Sequence, residues 1–184
     1  GLLVLRPESG YLRRSAQPIL RKEIADPARA ATEVNRAGEH LERLDLPRQI
    51  HKSESRASFF LVERGCRVPL SLRSDGFALA DGTTYRREDL ELRLEQRPET
   101  FSSSAILRPI VQDASLPTIA TVVGPHELLY HLQLADLYRR HSVTRPALTL
   151  RPGITLLEPD DLKILTKTGI SPSDCARSAR SLVR

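Results

Sequence analysis

A β-branched run that stops at a Gly-Pro pair, passes into an amphipathic helix and returns to a second apolar run constrains this chain more than any other feature. Residues 117–123 (PTIATVV) read as a buried strand by length and composition. Gly124-Pro125-His126-Glu127 follow at once. A helix is then expected through Leu128, Leu132, Ala135 and Tyr138 to about His141, and residues 147–150 read as a second buried strand. Strand, turn, helix and strand in that order require parallel strands joined by a right-handed crossover. The fold class expected is α/β, built on a parallel-sheet core.

The remaining segments read around that unit. Residues 1–5 (GLLVL) form a short apolar strand. Leu12, Ile19, Leu20 and Ile24 lie at helical spacings, with Pro18 dividing the helix. Asp26-Pro27 restarts it as N-cap and first helical residue, and Ala31, Val34, Gly38, Leu41 and Leu44 make one apolar stripe ended by Pro47. Residues 57–62 and 67–73 are extended, Val68, Leu70 and Leu72 alternating with polar neighbours. Asp75-Gly76 and Asp81-Gly82 are turn dipeptides, so an antiparallel meander is expected, insertion-like in character. A charged helix at 87–96 carries Leu90, Leu92 and Leu94 and stops before Pro98. The organisation expected is 1–46 for the first strand and helices of the core, 47–100 for the inserted meander and helix, 101–170 for the second half of the core, and 171–184 for a further helix. Ser171 and Pro172 open that last helix, which runs through Cys175, Ala179 and Leu182. With no Met, an initial apolar strand and a helix that stops after three turns, the segment is expected to be an internal piece of a longer chain.

At 40% hydrophobic residues the chain can build a core, mostly from aliphatic side chains because aromatics are only 4%. The formal charge is +5 and the pI about 9.6. Its arginines are interleaved with acids and lack the aromatic platform that nucleic-acid binding uses, so an anionic small molecule suits the charge better. No stretch approaches the roughly 20 apolar residues of a membrane span. No charged n-region followed by an apolar run is present, so no secretory signal is expected, and Cys66 and Cys175, far apart and without metal-type spacing, are expected to be reduced thiols. The cytoplasm is the expected compartment, with no membrane partner.

In open α/β sheets ligands bind at the carboxyl ends of strands, beside helix N-termini. Gly124 there permits close backbone approach, Pro125 fits the first helical position, and the free N–H groups from His126 and Glu127 onward attract an anion. Glu127 alternatively serves only as the acidic residue of the first turn. Gln112 and Asp113, which end the apolar segment 107–113, either tie this turn to the sheet or face a substrate. His126 is a candidate site residue. His131 and His141 read as helix-surface groups, and His40 and His51 have no evident partners. No metal spacing is present, so no metal site is inferred.

LRPIVQD (107–113), LPT (116–118), GPHELLYHLQL (124–134) and LRPGITLLEP (150–159) occur in order, with weaker similarity through SFFLVERGCRVPL (58–70) back to GLLVL. Together they resemble the cysteine-adding enzymes of bacillithiol synthesis, the BshC family. The resemblance implies a Rossmann-like core with an inserted connecting subdomain, followed by a helical coiled coil through which the parent protein forms a homodimer. It implies a ligase that joins cysteine to glucosaminyl-malate through an amide bond. Arg108, Pro109, Gln112, Asp113, Pro117, Gly124, Pro125, Glu127, Tyr130, Gln133, Pro146 and Arg151 match the family's recurrent pattern. Val123 departs from it where a Gly is usual, and Ala114 and His131 stand at positions where aromatics are expected. The family's His-Gln-bearing amino-terminal half-site and its coiled coil are absent here, so this segment alone is expected to be inactive.

Forming an amide in water needs an activated acid, for which ATP or another nucleotide is the expected cofactor, and an unprotonated amine. Asp113 or His126 is the expected base. Gln112 and the Gly124 turn orient substrate, Arg108 or Arg151 takes an anionic group such as malate, and Pro125, Glu127 and Tyr130 complete the substrate-binding set. The arginines could equally pair with Asp113 or Glu127 as scaffold ions. Two other classes stay open: a non-catalytic nucleotide- or anion-binding α/β module, and an interaction domain that binds a partner through its charged helices at 26–44 and 87–96.

Overall fold

The computed structural model describes residues 4, 6 and 9–176. The strand expected at 1–5 and the helix expected through Ala179 and Leu182 lie outside the described residues. Residues 1–151 make one compact unit and 152–184 a second.

In the first unit Pro18 divides the opening helix as read. Helix α1 (Gly10–Ser15) gives way to α2 (Gln17–Ala25), and Pro18 occupies the first turn of α2, where its missing N–H has no helical acceptor to disappoint. Helix α3 (Arg29–Arg43) begins later than Asp26-Pro27 implied, with Ala28 as its N-cap. Ala31, Val34, Gly38 and Leu41 of its stripe are buried, whereas Leu44 is exposed.

The meander is present. Strands β1 (Arg56–Glu63), β2 (Cys66–Arg73), β3 (Gly76–Ala78) and β4 (Thr84–Arg86) run antiparallel in sequence. Arg64 and Gly65 both have positive φ, 49° and 77°, the conformation that a two-residue hairpin turn demands. The next turn is Ser74-Asp75, not Asp75-Gly76, because Gly76 already pairs with Arg73. A Cβ at Gly76 would sit 2.2 Å from the Tyr85 carbonyl oxygen, so close strand approach fixes this glycine. Helix α4 (Arg87–Gln96) buries Leu90 and Leu94 and exposes Leu92. After it, β5 (Phe101–Ser103) returns to the far side of β1, giving the order β4-β3-β2-β1-β5.

Helix α5 (Arg108–Ser115) covers most of the LRPIVQD segment, Pro109 lying in its first turn. Strand β6 (Ala120–Val123) is shorter than read, since Pro117 has no N–H for a ladder and Thr118 N–H closes a turn onto the Leu116 carbonyl at 2.8 Å. The crossover expected as one helix is two, α6 (Pro125–Gln133) and α7 (Ala135–His141), which meet at Leu134. Strand β7 (Ala147–Leu150) pairs parallel with β6, from Ala120 opposite Ala147 to Val123 opposite Leu150.

The α/β class therefore stands, with a correction: the parallel part is only two strands, and the larger sheet is antiparallel. Nor are the two parallel strands buried as read, because only Val123 is enclosed and Ile119, Val122 and Leu150 face outward. The core lies elsewhere. Phe59, Leu61, Leu70, Phe77 and Phe101 of the antiparallel sheet pack in one cluster with aliphatic residues of α2 to α5 and with Leu137 and Tyr138. The Phe59 ring stands 5.6 Å from Phe77 and 5.8 Å from Phe101, within the range where tilted aromatic pairs attract.

In the second unit α8 (Pro159–Thr168) starts with the Asp161 carboxylate accepting the Glu158 N–H at 2.9 Å and ends at Gly169, φ 69°. Pro172–Ala176 is a 3-10 turn, where the sequence reading placed the start of an α-helix.

Candidate functional site

Strand β6 leads straight into Gly124, whose N–H donates to Glu127 Oε2 at 2.6 Å and so closes the first turn of α6. Pro125 takes the first helical position. Gly124 has φ −78° and ψ 170°, an extended conformation open to any residue, so backbone freedom does not explain it. Space does. A Cβ there would lie 3.1 Å from an Arg151 guanidinium nitrogen and 3.2 Å from Glu127 Oε2. The Arg151 N–H donates to the Val123 carbonyl at 2.9 Å, extending the strand pairing by one bond and bringing the arginine to the turn. Gly124, Pro125, Glu127 and Arg151 thus meet at the carboxyl ends of the two parallel strands, with His126 exposed in the same first turn.

The other residues of the predicted set lie on α5 and its neighbours. Arg108 and Gln112, one turn apart, line a cavity of about 410 Å³. Asp113 is rotated about 100° from Gln112 on the helix, and its Oδ2 accepts the Tyr138 hydroxyl proton at 2.6 Å. Its Oδ1 is buried with no hydrogen-bond partner. Gln112 and Asp113 therefore face different surroundings. The Tyr130 hydroxyl donates to the Ala105 carbonyl, and burial pushes its pKa up to about 12. Burial, reinforced by the bond to Asp113, also drives the Tyr138 pKa upward.

Two histidines depart from the surface reading. His131 is buried, its Nδ1 without a partner, and feels the carboxylates of both Asp113 and Glu127. His141 is buried too, with Nε2 at 3.0 Å from Glu23 Oε1. His131, Leu134, Tyr138 and His141 lie at helical spacings and are the true inward stripe; polar members concealed it. Gln133 is likewise buried, bonded to backbone groups of Val34, Gln49 and Ile50. Among the described residues no group of three or more His, Cys, Asp or Glu side chains could hold a metal ion.

Burial lowers the His131 pKa, the carboxylates of Asp113 and Glu127 opposing it. The unfolded chain then takes up a proton near the ordinary value of about 6.5 while the folded chain does not. Stability should be complete above that pH and decline as pH falls through it toward the lowered value. Urea midpoints between pH 7.5 and 5 should fall more in this chain than in His131→Phe; parallel curves would remove His131 as the cause.

The sequence as a whole is similar to known proteins. Residues 1–152 match the family described as bacillithiol biosynthesis BshC, N-terminal Rossmann-like domain. Proteins named "Putative cysteine ligase BshC" are similar to most of the chain. The one from Koribacter versatilis is 31% identical over 182 residues, 99% of this chain and 34% of that protein. The one from Salinibacter ruber is 32% identical, covering 95% of this chain and 32% of its own length. The one from Thermus thermophilus is 31% identical, covering 94% and 35%. The chain thus spans about a third of the length of the curated relatives it matches. Among the described residues no helix is long and apolar enough to cross a membrane.

Proposed function

Because this chain belongs to the BshC family, we propose that it is the part of a cytoplasmic cysteine ligase that seats an anionic group at the Gly124 turn while cysteine is joined to glucosaminyl-malate. The observation that carries this reading is the convergence of Gly124, Glu127 and Arg151 at the carboxyl ends of β6 and β7. Free N–H groups of the first turn of α6 and the Arg151 guanidinium both favour negative charge there. The Glu127 carboxylate already takes the Gly124 N–H, so an anion would meet the free N–H groups from His126 onward. ATP or another nucleotide would supply the activation that the cysteine carboxyl group needs. His126, exposed in the first turn, is better placed to accept the amine proton than Asp113, whose Oδ2 is occupied by Tyr138 and whose Oδ1 is enclosed. The rest of the catalytic apparatus belongs to segments outside this chain, which alone should not make bacillithiol.

The test is Gly124→Val installed in the full-length parent. A Cβ pressed against Arg151 and Glu127 would shift both by some tenths of an ångström. Turnover should fall by about 100-fold, the scale of a small misplacement of binding groups, while melting temperature changes little. Asp113→Asn keeps an acceptor for Tyr138 and should retain most activity. Full turnover in Gly124→Val would remove this turn from the site, and a collapse of turnover in Asp113→Asn would return Asp113 to the role of base.

A further inference from the structure

The antiparallel sheet packs its core against one face, and strand alternation decides what the other face carries. Residues paired directly across strands share a face. Leu61 stands opposite Val68 and Phe101, and Leu72 opposite Phe77, which makes theirs the inner face. Phe60 stands opposite Pro69 and Ser102, Arg56 opposite Ser71, and Val62 opposite Arg67, so these residues belong to the outer face. Arg73 joins them two steps along β2 from Ser71. It faces Gly76, which in turn faces Arg86. Arg56, Arg67, Arg73 and Arg86 therefore lie on one side of the sheet, all of them exposed.

The acids of the same stretch lie elsewhere. Glu63 belongs to the inner register, opposite Cys66, and stands 3.5 Å from Arg93 of α4. Asp75 and Asp81 fall in the turns after β2 and β3. Arg86 pairs with Asp89 at 3.2 Å, but among the described residues Arg56, Arg67 and Arg73 form no ion pair. Two contacts hold Arg67 without neutralising it: it lies 4.4 Å from the centroid of the Phe60 ring and donates to the Ser103 carbonyl at 2.6 Å. The Lys52 ammonium donates to the Arg56 carbonyl and adds positive charge at that end of the sheet. In the sequence these arginines alternate with acids. The strands sort the two signs apart.

We propose that this face docks an acidic polypeptide segment in extended form, its carboxylates taken by Arg56, Arg73 and Arg67. Arg56 and Arg73 are diagonal neighbours across β1 and β2, about 7–8 Å apart. Alternate side chains of an extended chain, at about 3.4 Å per residue, repeat at nearly that distance. Planar guanidinium forks suit the two oxygens of a carboxylate. Gly76, with no side chain, leaves the surface open between Arg73 and Arg86. A nucleic acid would need a bare ring for its bases to stack on, and Arg67 already covers Phe60 on this face. The inference rests on the meander alone and is independent of the ligase reading.

The experiment is fluorescence anisotropy of a labelled peptide of alternating Glu and Ser, titrated with the full 184-residue chain. The peptide should bind saturably and more weakly as salt is raised, and its Gln-Ser counterpart should not bind. Arg56→Glu with Arg73→Glu should weaken binding by about tenfold or more, since two attractive charges become repulsive. Arg21→Glu with Arg43→Glu, at exposed positions of α2 and α3, changes the net charge equally and should weaken it by less than about threefold. Circular dichroism checks that each double variant is folded, and Arg56→Gln with Arg73→Gln repeats the test without introducing acids. Equal losses in the two reversed pairs, unchanged affinity in the Gln pair, or no saturable binding by the folded chain would overturn the proposal. Tighter binding of a single-stranded oligonucleotide of equal charge would overturn the choice of polypeptide.

Discussion

Gln133→Leu should lower the unfolding free energy by about 4 kcal/mol or more, seen as a large drop in urea midpoint with the slope unchanged, because unpaired buried groups cost about 1–3 kcal/mol each. The Gln133 amide spends its whole hydrogen-bonding capacity on backbone. Its Oε1 accepts the Gln49 and Ile50 N–H groups, both at 3.1 Å. Its Nε2 donates to the Ile50 carbonyl at 2.6 Å and the Val34 carbonyl at 3.1 Å. One side chain thereby ties the end of α6 to α3 and to the extended segment before β1. Leucine has similar bulk and offers none of these bonds, and solvent reaches only part of the bracket. The same geometry accounts for Gly38, where a Cβ would come within 2.8 Å of Gln133 Nε2. A loss under 1 kcal/mol would mean that the backbone finds other partners.

Glu23→Ala should cost about 3–5 kcal/mol, the usual result of removing one member of a buried ion group. Glu23 is fully enclosed, and its Oε1 receives both Arg140 and the His141 ring, the latter at 3.0 Å. Arg140 also lies 3.8 Å from Glu33, which in turn holds Arg29 at 2.8 Å. Without Glu23 the Arg140 guanidinium would lose its nearest countercharge in a place where water barely reaches. The double variant Glu23→Leu with Arg140→Met should be markedly more stable than Glu23→Ala, because the stranded charge is gone. Equal losses in the two would show that packing, not charge, dominates this cluster.

The extent to which these features could be read from residues differs by type. The helix at 87–96 and the parallel pairing of β6 with β7 follow local rules, and each lies where periodicity puts it. Helix α5 was harder to see, since eight residues with a Pro in the first turn read as well extended as coiled. The break at Leu134 has no Gly or Pro to announce it. His131, Gln133, His141 and Glu23 went unrecognised as interior residues because their burial depends on partners far away in sequence. At the site, the Gly-Pro turn with Glu127 was legible from spacing, whereas Arg151 reaches that turn only through strand pairing. The divergent directions of Gln112 and Asp113 follow from α5 being helical. The arginine-lined cavity was half visible, through Arg108 and Gln112; Arg67 and Ser104 enter it by tertiary folding alone.

The two-stranded parallel sheet has a consequence for how this polypeptide behaves in solution. Parallel strands ordinarily lie under helices on both faces. Here Ile119, Val122 and Leu150 stand bare, and residues 117–123 form an uncharged, β-branched run. Such a run next to a short two-stranded ladder can template the same run of another molecule, which is how cross-β growth begins. Prepared by itself, the chain carries a colloidal hazard in the very strand that delivers Gly124 to its place, so a charge introduced at Val122 to keep the protein dispersed would sit just two residues from the turn it serves.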